Sequence, residues 1–104
     1  MIKITATRNN GKIVSLTVKG HANSAPHGQD LVCAAVSSIL VGGCNALKEP
    51  NCFAIKLNEG DASVVEISHA NEHDYEVLET ILIQLKTVEE SSKKFLQIIE
   101  KGTS

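Results

Sequence analysis

The sequence predicts an α+β fold, a two-layer sandwich in which a largely antiparallel sheet of two hairpins carries two helices on one face. Two observations lead there. Short runs with a period of two come in pairs, each pair meeting at an Asn/Gly-rich turn, and each pair is followed by a longer segment whose apolar residues recur at helical spacing. Paired hairpins imply antiparallel neighbours, and helices that follow them need an apolar sheet face to cover. With 104 residues, residues 1–104 are expected to be a single domain, because two cores of half that size would each bury too little apolar surface.

The first hairpin sets Ile2, Ile4 and Ala6 against Lys3, Thr5 and Thr7, and then Val14, Leu16 and Val18 against Ser15, Thr17 and Lys19. Its turn is Asn9-Asn10-Gly11-Lys12, residue types that tolerate the positive φ of tight hairpin turns. From Leu31 to about Lys48, the residues Val32, Val36, Ile39, Gly43, Ala46 and Leu47 fall on one helical stripe, widened by Ala35 and Leu40, so a mostly buried helix is expected. Gly42-Gly43 lowers its propensity by about 1 kcal/mol per glycine and marks a close approach by a neighbouring element. Glu49-Pro50-Asn51 stops it.

The second hairpin alternates Phe53, Ile55 and Leu57 with Ala54, Lys56 and Asn58, turns at Asn58-Glu59-Gly60-Asp61, and returns from Ala62 to Ser68. Asn71 caps the second helix, with Asp74 at its third position and Leu78, Ile81, Leu82, Leu85 and Val88 as its buried stripe. Carried on to Lys101, that helix would be about 45 Å long, more than a domain of this size is wide. Ser91-Ser92 is therefore its end, and Lys94 to Ile99 a short final strand, although the spacing of Phe95, Leu96 and Ile99 also fits a helix.

Composition narrows the function. A net charge of −2 and 3% aromatic residues leave little for phosphate neutralisation or base stacking, so no nucleic-acid partner is expected. No run approaches a membrane span and no signal peptide is legible, which points to the cytoplasm. Three cysteines without CxxC spacing suit neither a disulfide framework nor a zinc site. His69 and His73 are four apart, but the helix starting at Asn71 falls between them, so no metal or other cofactor is expected.

One segment could carry chemistry. With Asp30 as N-cap, Cys33 sits in the first turn of the first helix, where free N–H groups and the helix dipole favour a thiolate and could also hold an oxyanion. Two readings of Cys33 remain: a nucleophile, or a small buried packing residue. His21 is one partner for it. Strict alternation aims His21 away from the side of Leu16 and Val18, so a bend at Gly20 would be needed to turn it. His27, nearer in sequence, is the reserve base, and Asp30 can either cap the helix or orient an imidazole. Ser37 lies one turn beyond Cys33 on the same face.

Gly20-His21-Ala22, followed by Gly28-Gln29-Asp30-Leu31-Val32-Cys33-Ala34-Ala35-Val36-Ser37, resembles the signature of the ribosomal-processing cysteine protease family Prp. The resemblance implies Cys33 as nucleophile, His21 as general base, and Asp30 and Ser37 as supporting positions. It also implies a substrate loop of Ala22, Asn23, Ser24, Ala25, Pro26, His27 and Gly28 that moves when peptide binds. The implied substrate is the N-terminal extension of a large-subunit ribosomal protein, and the implied assembly a homodimer. From other classes, the rivals are a non-catalytic dimeric ribosome-associated binding module and a thiol redox sensor using Cys33.

Overall fold

Asn10 and Gly11, at φ of 53° and 79°, close the first hairpin at the predicted turn, between β1 (Ile2–Asn9) and β2 (Lys12–Lys19). The computed structural model describes residues 1–20 and 27–103, and of residues 27–30 only the backbone. After β2 come α1 (His27–Asn45), a 3-10 turn (Pro50–Cys52), β3 (Phe53–Asn58), β4 (Asp61–Glu66), α2 (Glu72–Ser91) and β5 (Leu96–Gly102). The strands form one sheet in the order β3-β4-β2-β1-β5. Its inner face and both helices share one core, in which Ile4, Leu16 and Val64 meet Val36 of α1 and Leu78, Ile81, Leu82 and Leu85 of α2. The α+β sandwich with both helices on one face is therefore the observed architecture.

Several expectations are corrected. The final strand exists, but it runs parallel to β1 while every other pair is antiparallel. The crossover through α2 delivers it in that direction. In β2 the register shifts opposite Thr7/Arg8. Val14 becomes the extra residue of a bulge, and Ile13 takes the fully buried place expected of it. On β3 only Phe53 is buried. Ile55 and Leu57 share its face of the strand but are 36% and 41% exposed, because β3 is an edge strand that the helix layer does not fully cover.

Helix α1 begins at His27, four residues before the expected start, and ends at Asn45. Its last turn tightens through Ala46 N–H to Gly43 O and Leu47 N–H to Cys44 O. It is less buried than expected: Val32, Val36 and Leu40 face the core while Leu31 is 70% exposed. Of the two glycines only Gly43 marks a close approach. A Cβ there would overlap Cδ1 and Cγ1 of Ile81, whereas one at Gly42 would meet nothing.

Helix α2 starts as expected, with the Asn71 side chain accepting the Asp74 N–H at 2.8 Å. Sequence reading did not anticipate the Asp74 side chain itself, which is fully buried and accepts the backbone N–H groups of Lys48 and Glu49 at 2.8 and 2.9 Å. It thereby ties the segment after α1 to the start of α2.

Candidate active site

A groove of about 450 Å³ opens between α1, the end of β2 and the β3–β4 turn, a size suited to a few side chains of a ligand. Cys33 and Ser37 line it from α1, Gly20 from the end of β2, and Leu57 to Gly60 from the turn. Val18 and Ala62, both buried, belong to its inner wall.

Gly20 is where the backbone departs from the strand. At φ +109°, it occupies a conformation that side-chain-bearing residues rarely adopt, and a Cβ there would collide with the Met1 carbonyl oxygen. Its N–H donates to Gly60 O at 3.1 Å, which holds the end of β2 against the β3–β4 turn. β2 ends at Lys19, and Gly20 breaks the strand conformation. His21, Ala22, Asn23, Ser24, Ala25 and Pro26 lie outside the described residues.

Placing the helix start at His27 changes three expectations. Asp30 is not the N-cap but a residue within the helix, and Cys33 is its seventh residue rather than its third. The unpaired N–H groups belong to the first turn, and the dipole effect fades beyond it, so the first-turn N–H groups expected beside Cys33 lie one turn earlier in α1. His27 and Gly28, expected in the substrate loop, are helical. His27 begins about 9 Å from Cys33 along the axis and about 240° around it, while Asp30, Cys33 and Ser37 fall within about 60° of one another. The Asp-x-x-Cys-x-x-x-Ser spacing is thus one stripe of a helix, and its last two members face the groove.

All three thiols are free, and Cys33 is half-buried. Burial pushes the Cys44 thiol above its ordinary value. The Cys52 sulfur lies 3.7 Å from Glu49 Oε2 and 3.8 Å from the carbonyl of His69, away from the groove-lining residues. Among the described residues, no group of three or more His, Cys, Asp or Glu is placed to hold a metal ion, and no helix is long and apolar enough to cross a membrane.

The β3–β4 turn was legible as a turn but not as a wall of this site, since alternation within each hairpin does not say which strands pair between hairpins. The β2–β4 pairing, with Val18 opposite Ala62, brings it there.

Residues 1–97 match the family Cysteine protease Prp. The chain belongs to that family. This chain is 34% identical to the ribosomal processing cysteine protease Prp of Bacillus subtilis, over 94% of this chain and 96% of that one. It superposes on the ribosomal processing protease Prp of Staphylococcus aureus in complex with a substrate peptide with a TM-score of 0.82, at 27% identity, covering 97% of this chain and all of the other. A second structure of the S. aureus protease, with a covalently linked product peptide, gives 0.81 at 28% identity and the same coverage. The activity class is that of a cysteine protease, and of the three thiols Cys33 is the one that lines the groove.

Proposed function

We propose that this Prp-family chain is a cytoplasmic cysteine endopeptidase, acting as one domain, that removes the N-terminal extension of a large-subunit ribosomal protein precursor. The observation that carries the assignment of residues is that Cys33 and Gly20 line the same groove. His21 follows Gly20 directly in the sequence. His27 starts a helix whose geometry sets it on another side from Cys33, which favours His21 as the base.

In this mechanism His21 takes the Cys33 proton and the thiolate adds to the scissile carbonyl carbon. The C–N bond then breaks as His21 returns the proton to the leaving amine, and water hydrolyses the thioester. Because Cys33 lies beyond the first helical turn, thiolate formation rests on the histidine rather than on the helix dipole. Asp30 and Ser37, on the Cys33 stripe, are supporting positions, and residues 22–26, which lead into α1 at His27, form the substrate segment. The family resemblance further supports a homodimer, which sedimentation equilibrium would test.

Purified protein incubated with the extended ribosomal-protein precursor, followed by mass spectrometry, tests the reading. Wild type should release the extension, and Cys33→Ala and His21→Ala should not. Undiminished cutting by Cys33→Ala would end the nucleophile assignment, and loss of cutting in His27→Ala with retention in His21→Ala would move the base to His27.

A further inference from the structure

Among the described residues lining the Cys33 groove, Glu59 alone carries a charge; the rest are apolar, glycine, or the neutral polar Ser37, Asn58 and the Cys33 thiol. It occupies the first turn position of the β3–β4 hairpin, followed by Gly60 at φ +73°, and is exposed. The lysines next to that turn are already engaged. Lys19 and Lys56 both pair with Asp61, the latter at 2.9 Å, and these bonds hold the Asp61 carboxyl down at about 2. Glu59 has no hydrogen bond or ion pair among the described residues, so among them its carboxylate is the one charge at the edge of a cleft of apolar and neutral polar residues.

We propose that Glu59 is a specificity residue, giving the groove a preference for a peptide with a lysine or arginine side chain where the bound segment passes the β3–β4 turn. This rests on the reading of the groove as the peptide site of a Cys33 protease. An apolar wall contributed by Leu57 and Val41 binds without regard to charge. A lone carboxylate beside it discriminates by sign, attracting a cation and repelling an acidic residue. The pair forms at the solvent-exposed rim, so the expected preference is modest, about 2- to 5-fold. It should appear in KM rather than kcat, because an ion pair to a substrate side chain is the same in ground and transition states.

The experiment uses N-acetylated synthetic peptides spanning the extension junction of the ribosomal-protein precursor, with each flanking residue replaced in turn by Lys, Ala or Glu. Acetylation removes the competing terminal amine. At one position wild type should prefer Lys over Ala and Ala over Glu. Glu59→Gln should flatten that order, Glu59→Lys should invert it, and high salt should erase it in wild type. The same ranking in Glu59→Gln as in wild type, or no charge preference at any position in wild type, overturns the proposal.

Binding of the same peptides to Cys33→Ala protein, read by calorimetry, separates this from the protease reading. Charge-ranked binding that depends on Glu59, without cutting by wild type, keeps Glu59 and removes the proteolysis. Charge-blind binding, or no binding to any peptide, removes Glu59 whether or not cutting occurs.

Discussion

The backbone N–H of Gly20 donates to the carbonyl of Gly60 at 3.1 Å, so the residue before His21 is fastened to the hairpin turn that walls the groove opposite α1. The bond and the left-handed φ of Gly20 define where the chain leaves β2. Gly20→Ala puts a side chain into that conformation and against the Met1 carbonyl oxygen. A loss of about 2 kcal/mol in stability is expected, measured by urea denaturation. Under the proposed mechanism the loss in kcat/KM should be larger than unfolding explains, because Gly20 precedes the proposed base His21. Unaltered activity in a folded Gly20→Ala protein would mean that this bend does not position the base.

Much of this was legible in the residues. Alternation in Ile2-Ile4-Ala6 and helical spacing in Leu78-Ile81-Leu82-Leu85 are local consequences of burial, and both elements are where the pattern puts them. The turn at Asn10-Gly11 and the Asn71 cap are local chemistry too. Features that depend on distant partners were not legible. The bulge at Val14 arises from β1 pairing, the exposure of Ile55 and Leu57 from the edge position of β3, and the parallel direction of β5 from its crossover. At the site, the Cys33 and Ser37 spacing carried the helical face, whereas the groove itself needed the β2–β4 register.

Asp74 makes a pH-dependent contribution to stability. Burial pushes its carboxyl up, but the Lys48 N–H, the His73 ring and the Glu49 N–H outweigh that and hold it below the usual aspartate range. A folded-state value below the unfolded one means the stabilisation is fully present above about pH 4 and is lost as pH falls through the folded value. Asp74→Ala should cost about 3 kcal/mol at pH 7, since it leaves two backbone N–H groups without their acceptor. The difference from wild type, followed by denaturation across pH, should shrink on acidification. A difference that stays constant from pH 7 to pH 2 would contradict the assignment.

The adjacent glycines of α1 should respond in opposite senses to the same substitution. Gly42→Ala gains helix propensity with nothing in its way, and should raise stability by about 0.5–1 kcal/mol. Gly43→Ala gains the same propensity but drives its methyl into the fully buried Ile81. The overpacking cost of about 1–3 kcal/mol should leave it less stable than wild type. Thermal denaturation of the pair distinguishes this from a uniform helix effect, in which both variants would be stabilised.

Alkylation can separate the thiol that opens on the groove from the others. Cys44 is half-buried, and burial pushes its thiol up, so at pH 8 it holds less of the reactive thiolate than an ordinary cysteine. With limiting iodoacetamide, Cys33 should be modified ahead of Cys44, and peptidase activity should fall in step with Cys33 modification as followed by peptide mapping. A bound peptide should slow modification of Cys33 and leave the rate at Cys44 unchanged, because Cys33 lines the groove and Cys44 does not. Activity lost while Cys33 remains unmodified would place the nucleophile elsewhere. Protection of Cys44 by peptide would show that the ligand reaches the far end of α1.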